Sequence, residues 1–417
     1  MWSFETDPEF EVELEWMRNL MRDRIHDLEV GEFDANGIPL GLDSIQELVK
    51  ERGLWAVHLD AELGGRGYGQ VKLGLMHEII GRSRFGPMCF GNQAPDSGNS
   101  EILARHGSPD QKSRWLEPML EGTLRSAYVM TEPAAGADPT LLTTSAVLDG
   151  DEWVVNGEKW FITNASLADF FIVMVVTDPD APRHNRASQL IIPVGTPGVD
   201  IVREIPTIED QNPASGGWDS HAVVNFTDVR VSQEAMLGTR GAGFTIAQER
   251  LGPGRIHHCM RWIGQASRAL DMLCERSLYR FSHGSLLSEK QTVQNWIADS
   301  WAQLNAARLM TLQAAWKIDT YGVASARAEI SAIKFWGAQM MHDVIDRSLQ
   351  LHGSLGYSGD MPLEEMYRYA RAARIYDGPD EVHRVVVARQ VLKNYTAPPD
   401  GVPTEHIPTR RAALGLK

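Results

Sequence analysis

Ser145-Ala-Val-Leu-Asp-Gly-Asp-Glu-Trp-Val-Val-Asn-Gly-Glu-Lys-Trp-Phe-Ile-Thr-Asn164 marks a change of character in the chain. Short β-branched and aromatic runs alternate here with turn residues, the pattern of strands. Ser145–Leu148 and Trp153–Val155 flank Asp149-Gly-Asp-Glu152. Asn156-Gly157 then separates Trp153–Val155 from Lys159–Thr163, a strong two-residue hairpin signal. Phe170–Thr177, Gln189–Pro193 and His221–Phe226 continue the series, with Pro and Gly between them. The spacing predicts a small antiparallel β-domain.

On both sides the apolar period becomes helical. Upstream, Leu14, Met17, Met21, Ile25 and Leu28 recur at helical spacing, and Leu42, Ile45, Leu48 and Val49 do so before Gly53. Glu62-Leu-Gly-Gly-Arg-Gly-Tyr-Gly69 lacks G-x-G-x-x-G spacing and follows no buried strand, so it reads as a flexible turn and not a dinucleotide loop. Downstream, Val293, Ile297, Trp301, Leu304 and Leu312 form one stripe, and Val344, Ile345, Leu349 and Leu351 another. The tail from Ala397 carries Pro398, Pro399, Pro403 and Pro408 and reads as extended. The expected class is mostly α with a central β-domain: a helical unit over 1–125, β over 126–238, helical again over 239–396, and a tail over 397–417.

Length and composition agree with this division. At 417 residues the chain exceeds most single cores. Its 43% hydrophobic and 23% charged residues are ordinary for a globular protein. The longest apolar run, Phe170–Val176, is too short to cross a bilayer, which takes about 20 residues, so no stable membrane insertion is expected. Cys89, Cys259 and Cys274 make neither a disulfide framework nor a zinc pattern, and no secretory segment opens the sequence. A cytoplasmic protein is expected. The net charge of −15 argues against nucleic acid, which requires basic surface. It leaves room for a small anionic ligand, since Arg368, Arg371, Arg374 and Arg384 crowd one region.

Three segments offer chemistry. Tyr128-Val-Met-Thr-Glu-Pro-Ala-Ala-Gly-Ala-Asp138 opens the β-domain with small residues that admit a flat or phosphorylated ligand, and Thr131 offers a hydroxyl. Lys159-Trp-Phe-Ile-Thr-Asn164 alternates aromatics with a hydroxyl, as a half-buried strand does. Ile375-Tyr-Asp-Gly-Pro-Asp-Glu-Val-His-Arg384 presents Asp377 before a forced turn, with Asp380 in position to cap the next helix. Beside the apolar Ile375-Tyr376 pair a carboxylate such as Asp377 has a raised pKa and can serve as a base, although on this segment alone an ordinary turn aspartate is the favoured reading. His257 and His258 point about 100° apart on a helix and have no i, i+4 histidine, so no metal is expected.

Taken together, these segments resemble the acyl-CoA dehydrogenase family through nearly the whole chain. Glu62-Leu-Gly-Gly-Arg-Gly, His106-Gly-Ser-Pro-Asp-Gln-Lys with Trp115-Leu116, Thr131-Glu-Pro, Asn156-Gly and Lys159-Trp-Phe-Ile-Thr-Asn fall in the family's order. Gln350-x-x-Gly-Ser-x-Gly-Tyr357 and Tyr376-Asp-Gly complete the set. Gly252-Pro-Gly-Arg-Ile-His-His-Cys-Met-Arg261 and Asp377-Gly-Pro-Asp-Glu-Val-His383 further resemble the branch numbered ten and eleven in animals. The resemblance implies an amino-terminal helical domain, a central β-domain and a carboxy-terminal four-helix bundle. It also implies FAD between the last two, and a homodimer or homotetramer whose neighbouring subunit closes part of the site.

By motif match, Tyr128, Thr131, Phe161 and Thr163 would line the flavin. Arg280, His283 and Gln291 would reach FAD across the subunit boundary, and Gln350, Gly353 and Glu381 would contact its pyrophosphate and adenosine end. Arg255, Ala137 and Gly378 fall at substrate-side positions. Asp377 matches the base that takes the α-proton of an acyl-CoA thioester, while the β-hydrogen leaves as hydride to the flavin and an electron-transfer flavoprotein takes the electrons. The product would be a trans-2-enoyl-CoA. Four positions depart from the family pattern: Asp377 replaces Glu, Pro379 replaces Thr at the cofactor site, Ala137 replaces Ser, and Phe161 replaces Trp. Glu249 is the rival base, although its Glu-Arg setting near a helix start reads as solvated or capping. An acyl-CoA oxidase shares the chemistry but usually carries a further domain. A monooxygenase of this fold would not keep the carboxylate at Asp377, and a DNA-binding flavoprotein would need basic surface.

Overall fold

Apolar period and capping together build the amino-terminal helices in the computed structural model, which describes residues 5–209, 218–398 and 401–416. Helix α1, Pro8–Leu20, begins where the Asp7 side chain accepts the Phe10 N–H, and continues through a π turn and a 3₁₀ turn to Glu29. Leu14, Met17, Met21, Ile25 and Leu28 are all buried along it, as their spacing predicts. α2, Leu42–Arg52, buries Ile45 and Val49 but leaves Leu48 exposed, and stops at Gly53. α3 (Gly69–Ile80), α4 (Gly86–Cys89), α5 (Asp96–His106), α6 (Pro109–Gln111) and α7 (Glu117–Glu121) follow. A reciprocal Ser108–Gln111 capping box starts α6. The glycine loop before α3 is tied down: Arg66 Nε donates to Gly53 O at 3.0 Å, and the Asp319 carboxylate accepts the Gln70 and Val71 N–H groups.

The β-domain comprises β1 (Ser126–Val129), β2 (Ser145–Asp149), β3 (Glu152–Thr163), β4 (Phe170–Val176), β5 (Ala187–Pro193), β6 (Val199–Glu204), β7 (His221–Ser232) and β8 (Met236–Leu237). Their order is β6-β7-β3-β2-β4-β5-β8, antiparallel for the most part, with β1 lying parallel to β4. The β4 run is apolar on both faces because both are covered. Phe171, Val173 and Val175 enter the sheet's own core, whereas Phe170 and Ile172 pack on Ile102, Leu103 and Trp115 of the helical unit.

One turn expected from the sequence differs. The hairpin forms at Asp149-Gly-Asp-Glu152, and Asn156-Gly157 lies inside the continuous strand β3 as a bulge against β7. The reason is contact: a Cβ on Gly157 would sit 2.4 Å from Thr144 Oγ1, while Asn156 exchanges hydrogen bonds with Asp228 on β7. Asn-Gly here lets two strands approach.

Beyond β8, α8 (Gly243–Tyr279), α9 (Gln291–Tyr321), α10 (Arg327–His352) and α12 (Asp380–Leu392) form the bundle, with α11 (Leu363–Ala372) before the last. A two-stranded ribbon, β9 (Phe281–Ser282) and β10 (Ser285–Leu286), links α8 to α9. Leu304 and Val293 are buried on the α9 stripe, but Trp301 is 62% exposed and Ile297 and Leu312 are half-buried. α8 lies directly against α3, close enough that a Cβ on Gly264 would sit 2.1 Å from Glu78 O. The tail is not wholly extended: α13, Ile407–Ala413, forms within it and is exposed throughout. Among the described residues no helix is long and apolar enough to cross a membrane.

Candidate active site

Between α11 and α12 the chain makes a tight turn at residues 373–379. Asp377 has φ +53° and Gly378 φ +99°. A Cβ on Gly378 would lie 2.8 Å from His383 Nε2, so the turn requires glycine there. The turn is held from three helices. Arg255 of α8 donates Nη2 and Nε to Asp377 O at 3.0 and 3.3 Å, and His383 Nε2 of α12 lies 3.1 Å from the same oxygen. Lys334 of α10, fully buried, donates to Ala373 O at 2.7 Å and Gly378 O at 3.3 Å. Trp262 Nε1 donates to Tyr376 Oη at 2.9 Å.

The Asp377 carboxylate is 24% exposed and meets His258 Nε2 at 3.2 Å. Its pKa does not follow the sequence-based expectation. Burial alone would raise it, but the His258 hydrogen bond, with Arg255 and Arg250 close by, outweighs burial and holds the carboxyl well below the usual carboxylate range. His258, conversely, is pushed below its ordinary value, chiefly by burial and by the charge of Arg261. At neutral pH the pair is therefore an ionised aspartate accepting from a neutral imidazole. Asp380 differs as well: Pro379 is the N-cap of α12, and the Asp380 side chain is buried with Arg374 Nε at 2.9 Å, capping nothing. Glu249 sits in the second turn of α8 and bonds His106 Nε2 at 2.7 Å.

Of the expected cofactor residues, Tyr128 lies on β1, Thr131 just beyond it, and Phe161 and Thr163 on β3. Tyr128 on β1 accepts from Gln189 Nε2 at 3.0 Å, under the Arg250 guanidinium 4.2 Å from its ring. Thr131 O accepts the Trp160 N–H at 3.1 Å, tying the β1 exit to β3. Thr163 Oγ1 lies 3.0 Å from His221 Nδ1. Phe161 has φ +53° and is 45% exposed, its ring edge-on to Trp160 with centroids 5.1 Å apart and otherwise facing out from the sheet. Arg250 joins this face to the helical unit through Asn99 Oδ1 at 2.9 Å.

Other expected residues lie elsewhere. Arg280, His283 and Gln291 are exposed around the β9–β10 ribbon. At ~1.5 Å per residue, Arg280 is roughly 37 Å along α8 from Arg255. Gln350 and Gly353 end α10, with Gly353 at φ +63° and open space beside it, while Glu381 is exposed in the first turn of α12. Ala137 is exposed in the loop after β1. Sequence reasoning missed His258, Lys334, Trp262, His383 and Arg250. Arg255 and His258 are i, i+3 on one helix face, and that spacing was a signal for His258.

Three family models cover the chain in order: acyl-CoA dehydrogenase N-terminal domain over 8–123, middle domain over 127–212 and C-terminal domain over 241–392. The chain belongs to the acyl-CoA dehydrogenase family. Within this family it is 41% identical over 369 residues to the acyl-CoA dehydrogenase FadE2 of Mycobacterium tuberculosis, covering 87% of this chain and 88% of that protein. It is 40% identical over 360 residues to acyl-CoA dehydrogenase family member 11 of Rattus norvegicus, covering 85% of this chain but only 45% of that longer protein. A solved acyl-CoA dehydrogenase structure from Mycobacterium abscessus superposes with a TM-score of 0.88 at 39% identity, over 94% of this chain and 100% of that one. Butyryl-CoA dehydrogenase of Megasphaera elsdenii superposes with a TM-score of 0.78 at 26% identity, over 94% of this chain and 100% of that one.

Proposed function

We propose that the chain is an FAD-dependent acyl-CoA dehydrogenase that converts an acyl-CoA thioester to its trans-2-enoyl-CoA and passes the electrons to an electron-transfer flavoprotein. The observation that carries this reading is Asp377, an ionised and partly exposed carboxylate whose backbone is fixed by α8, α10 and α12. The residues present fit FAD. Phe161 holds an exposed ring in a strained conformation, Gln189 Oε1 is buried without a partner, and Gly353 leaves open backbone. Tyr128, Thr131, Phe161 and Thr163 would hold the ring system, and Gln350, Gly353, Pro379 and Glu381 the phosphate and adenosine end. When bound, FAD supplies the acceptor for the β-hydrogen and its electron pair.

The protein's own work is placement and proton transfer. Asp377 accepts the α-proton on a carboxylate oxygen, and its low pKa keeps it ionised across the physiological range. Its basicity rises when an apolar acyl chain displaces water from around it. Arg255 and His383 hold its backbone carbonyl and so fix where the side chain starts. The exposure of Arg280, Phe281 and Trp301 supports assembly with a second copy, whose FAD Arg280, His283 and Gln291 would reach.

The test is direct. Purified protein should be yellow, and heat should release FAD and not FMN. Under nitrogen, butyryl-, octanoyl- or palmitoyl-CoA should bleach the flavin and reduce an electron-transfer flavoprotein. A colourless protein that cannot be reconstituted with FAD refutes the reading. Peroxide release in air, without reduction of the flavoprotein, replaces it with an oxidase.

A further inference from the structure

We propose that His258 is the positioning residue for Asp377, holding its carboxylate by a hydrogen bond and filling the space into which a longer base would extend, so that the short aspartate and the histidine act as a matched pair. The inference rests on the reading of Asp377 as proton acceptor.

The geometry supplies each step. Backbone bonds from Arg255 and His383 fix where the Asp377 Cα sits, leaving only side-chain torsions to aim the carboxylate. His258 Nε2 meets Oδ2 at 3.2 Å and removes that freedom. The imidazole is itself held: it lies 5.4 Å from the Tyr376 ring and 6.2 Å from Trp262, and those two are bonded to each other. Both partners are partly buried, at 20% and 24% exposure, so water competes weakly for the bond.

Side-chain length completes the argument. A glutamate at 377 would carry its carboxylate about 1.5 Å further, one C–C bond. With nitrogen and oxygen already in contact, that extension overlaps the imidazole or turns the carboxylate aside. The shorter base and the ring therefore presuppose each other.

The surroundings set the protonation states. Arg250, Arg255, Arg261 and His257 face the pair from α8, His77 from α3, Lys334 from α10, and His383 and Asp380 from α12, with Tyr376 adjacent. Burial, with the charges of Arg261 and Lys334, outweighs the pull of Asp377 and keeps His258 neutral, so Nε2 carries the proton it donates to Asp377. Without that donor, only the charges of Arg255 and Arg250 offset burial, and the Asp377 pKa rises.

The experiment uses the FAD-loaded full chain with the best-turned-over of butyryl-, octanoyl- and palmitoyl-CoA. The variants are His258→Met, which fills space without donating; His258→Gln, whose amide reaches the Nε2 position; Asp377→Glu; Asp377→Glu/His258→Ala; and Asp377→Asn. A hydrogen bond to a charged acceptor predicts a loss of about 10- to 100-fold in kcat for His258→Met, with FAD retained. The acid limb of its pH profile should move to higher pH, and His258→Gln should recover most of the rate. Asp377→Glu should be slow, and adding His258→Ala should restore at least about tenfold by removing the overlap. Independently of turnover, ¹⁵N-histidine spectra at pH 7 should show His258 neutral and protonated at Nε2. Wild-type rate and pH profile in His258→Met, or no recovery in the double variant, overturns the pairing. Should His258→Met misfold, His258→Gln and the double variant decide. Asp377→Asn separates the two claims: if it turns over normally the base assignment fails, whereas if it is dead and His258→Met is normal, only the pairing fails.

Discussion

Lys159→Met should expose what holds the β-domain beside the site. Lys159 and Glu132 are 0% and 2% exposed and 2.9 Å apart, and Lys159 Nζ also donates to Met130 O at 2.9 Å. Their attraction is ~6 kcal/mol at an effective dielectric of about 20, and much of it offsets the cost of desolvating both ions. Removing the lysine leaves a buried carboxylate, a change that typically costs about 3–5 kcal/mol. Glu132 keeps bonds from Thr143 N, Thr143 Oγ1 and Thr144 N, so the low end, about 3 kcal/mol, is expected. Because Thr131 and Trp160 flank the pair, the loss should also reach the flavin face. The assay is thermal unfolding with flavin release followed in parallel. Lys159→Met should unfold at lower temperature and hold less FAD, and Lys159→Met/Glu132→Leu should recover much of the stability. A single variant as stable and as yellow as wild type refutes the reasoning.

Three further outcomes follow. Burial holds His58 down to about 4 and pushes His77 and His257 well below the usual histidine range, so below pH 6.5 the unfolded chain binds protons that the fold refuses. Stability should therefore rise with pH between about 4 and 6.5, by up to ~1.4 kcal/mol per pH unit for each histidine, and His77→Leu should flatten that slope in pH-dependent melting curves. Gly378→Ala should cost about 1–3 kcal/mol of local strain and cut turnover, because the turn needs φ +99° and the space beside His383. Arg280→Ala should lower flavin occupancy and loosen the oligomer together in sedimentation runs, while a fully flavinated active monomer would contradict the shared site.

The helix–sheet–helix order was legible because period is local: Leu14 to Leu28 and the β4 run declare their elements wherever they pack. Asp377 is legible locally only as a turn carboxylate beside an apolar pair, and its expected role as base comes from the family resemblance. What was hidden depended on residues distant in sequence. Asn156-Gly157 is a bulge because Thr144 and Asp228 crowd it, and neither is visible from the dipeptide. The Asp377 pKa falls and does not rise because His258 and Arg255, more than a hundred positions away, reach the same carboxylate and carbonyl. Asp380 does not cap because Pro379 takes the N-cap position and Asp380 is the first residue inside the helix, where Arg374 holds Oδ2. Trp301 sits on a helical stripe yet remains exposed, since a stripe says which residues share a face and not what covers it.

The central claim is that Asp377 takes the α-proton in an FAD-dependent dehydrogenation. The most direct measurement is anaerobic stopped-flow bleaching of the bound flavin in wild type and Asp377→Asn, with the best acyl-CoA substrate. The variant should keep its FAD and bind the thioester, but bleach at least about 10²-fold more slowly. Bleaching of Asp377→Asn at the wild-type rate would contradict that claim and turn attention to Glu249.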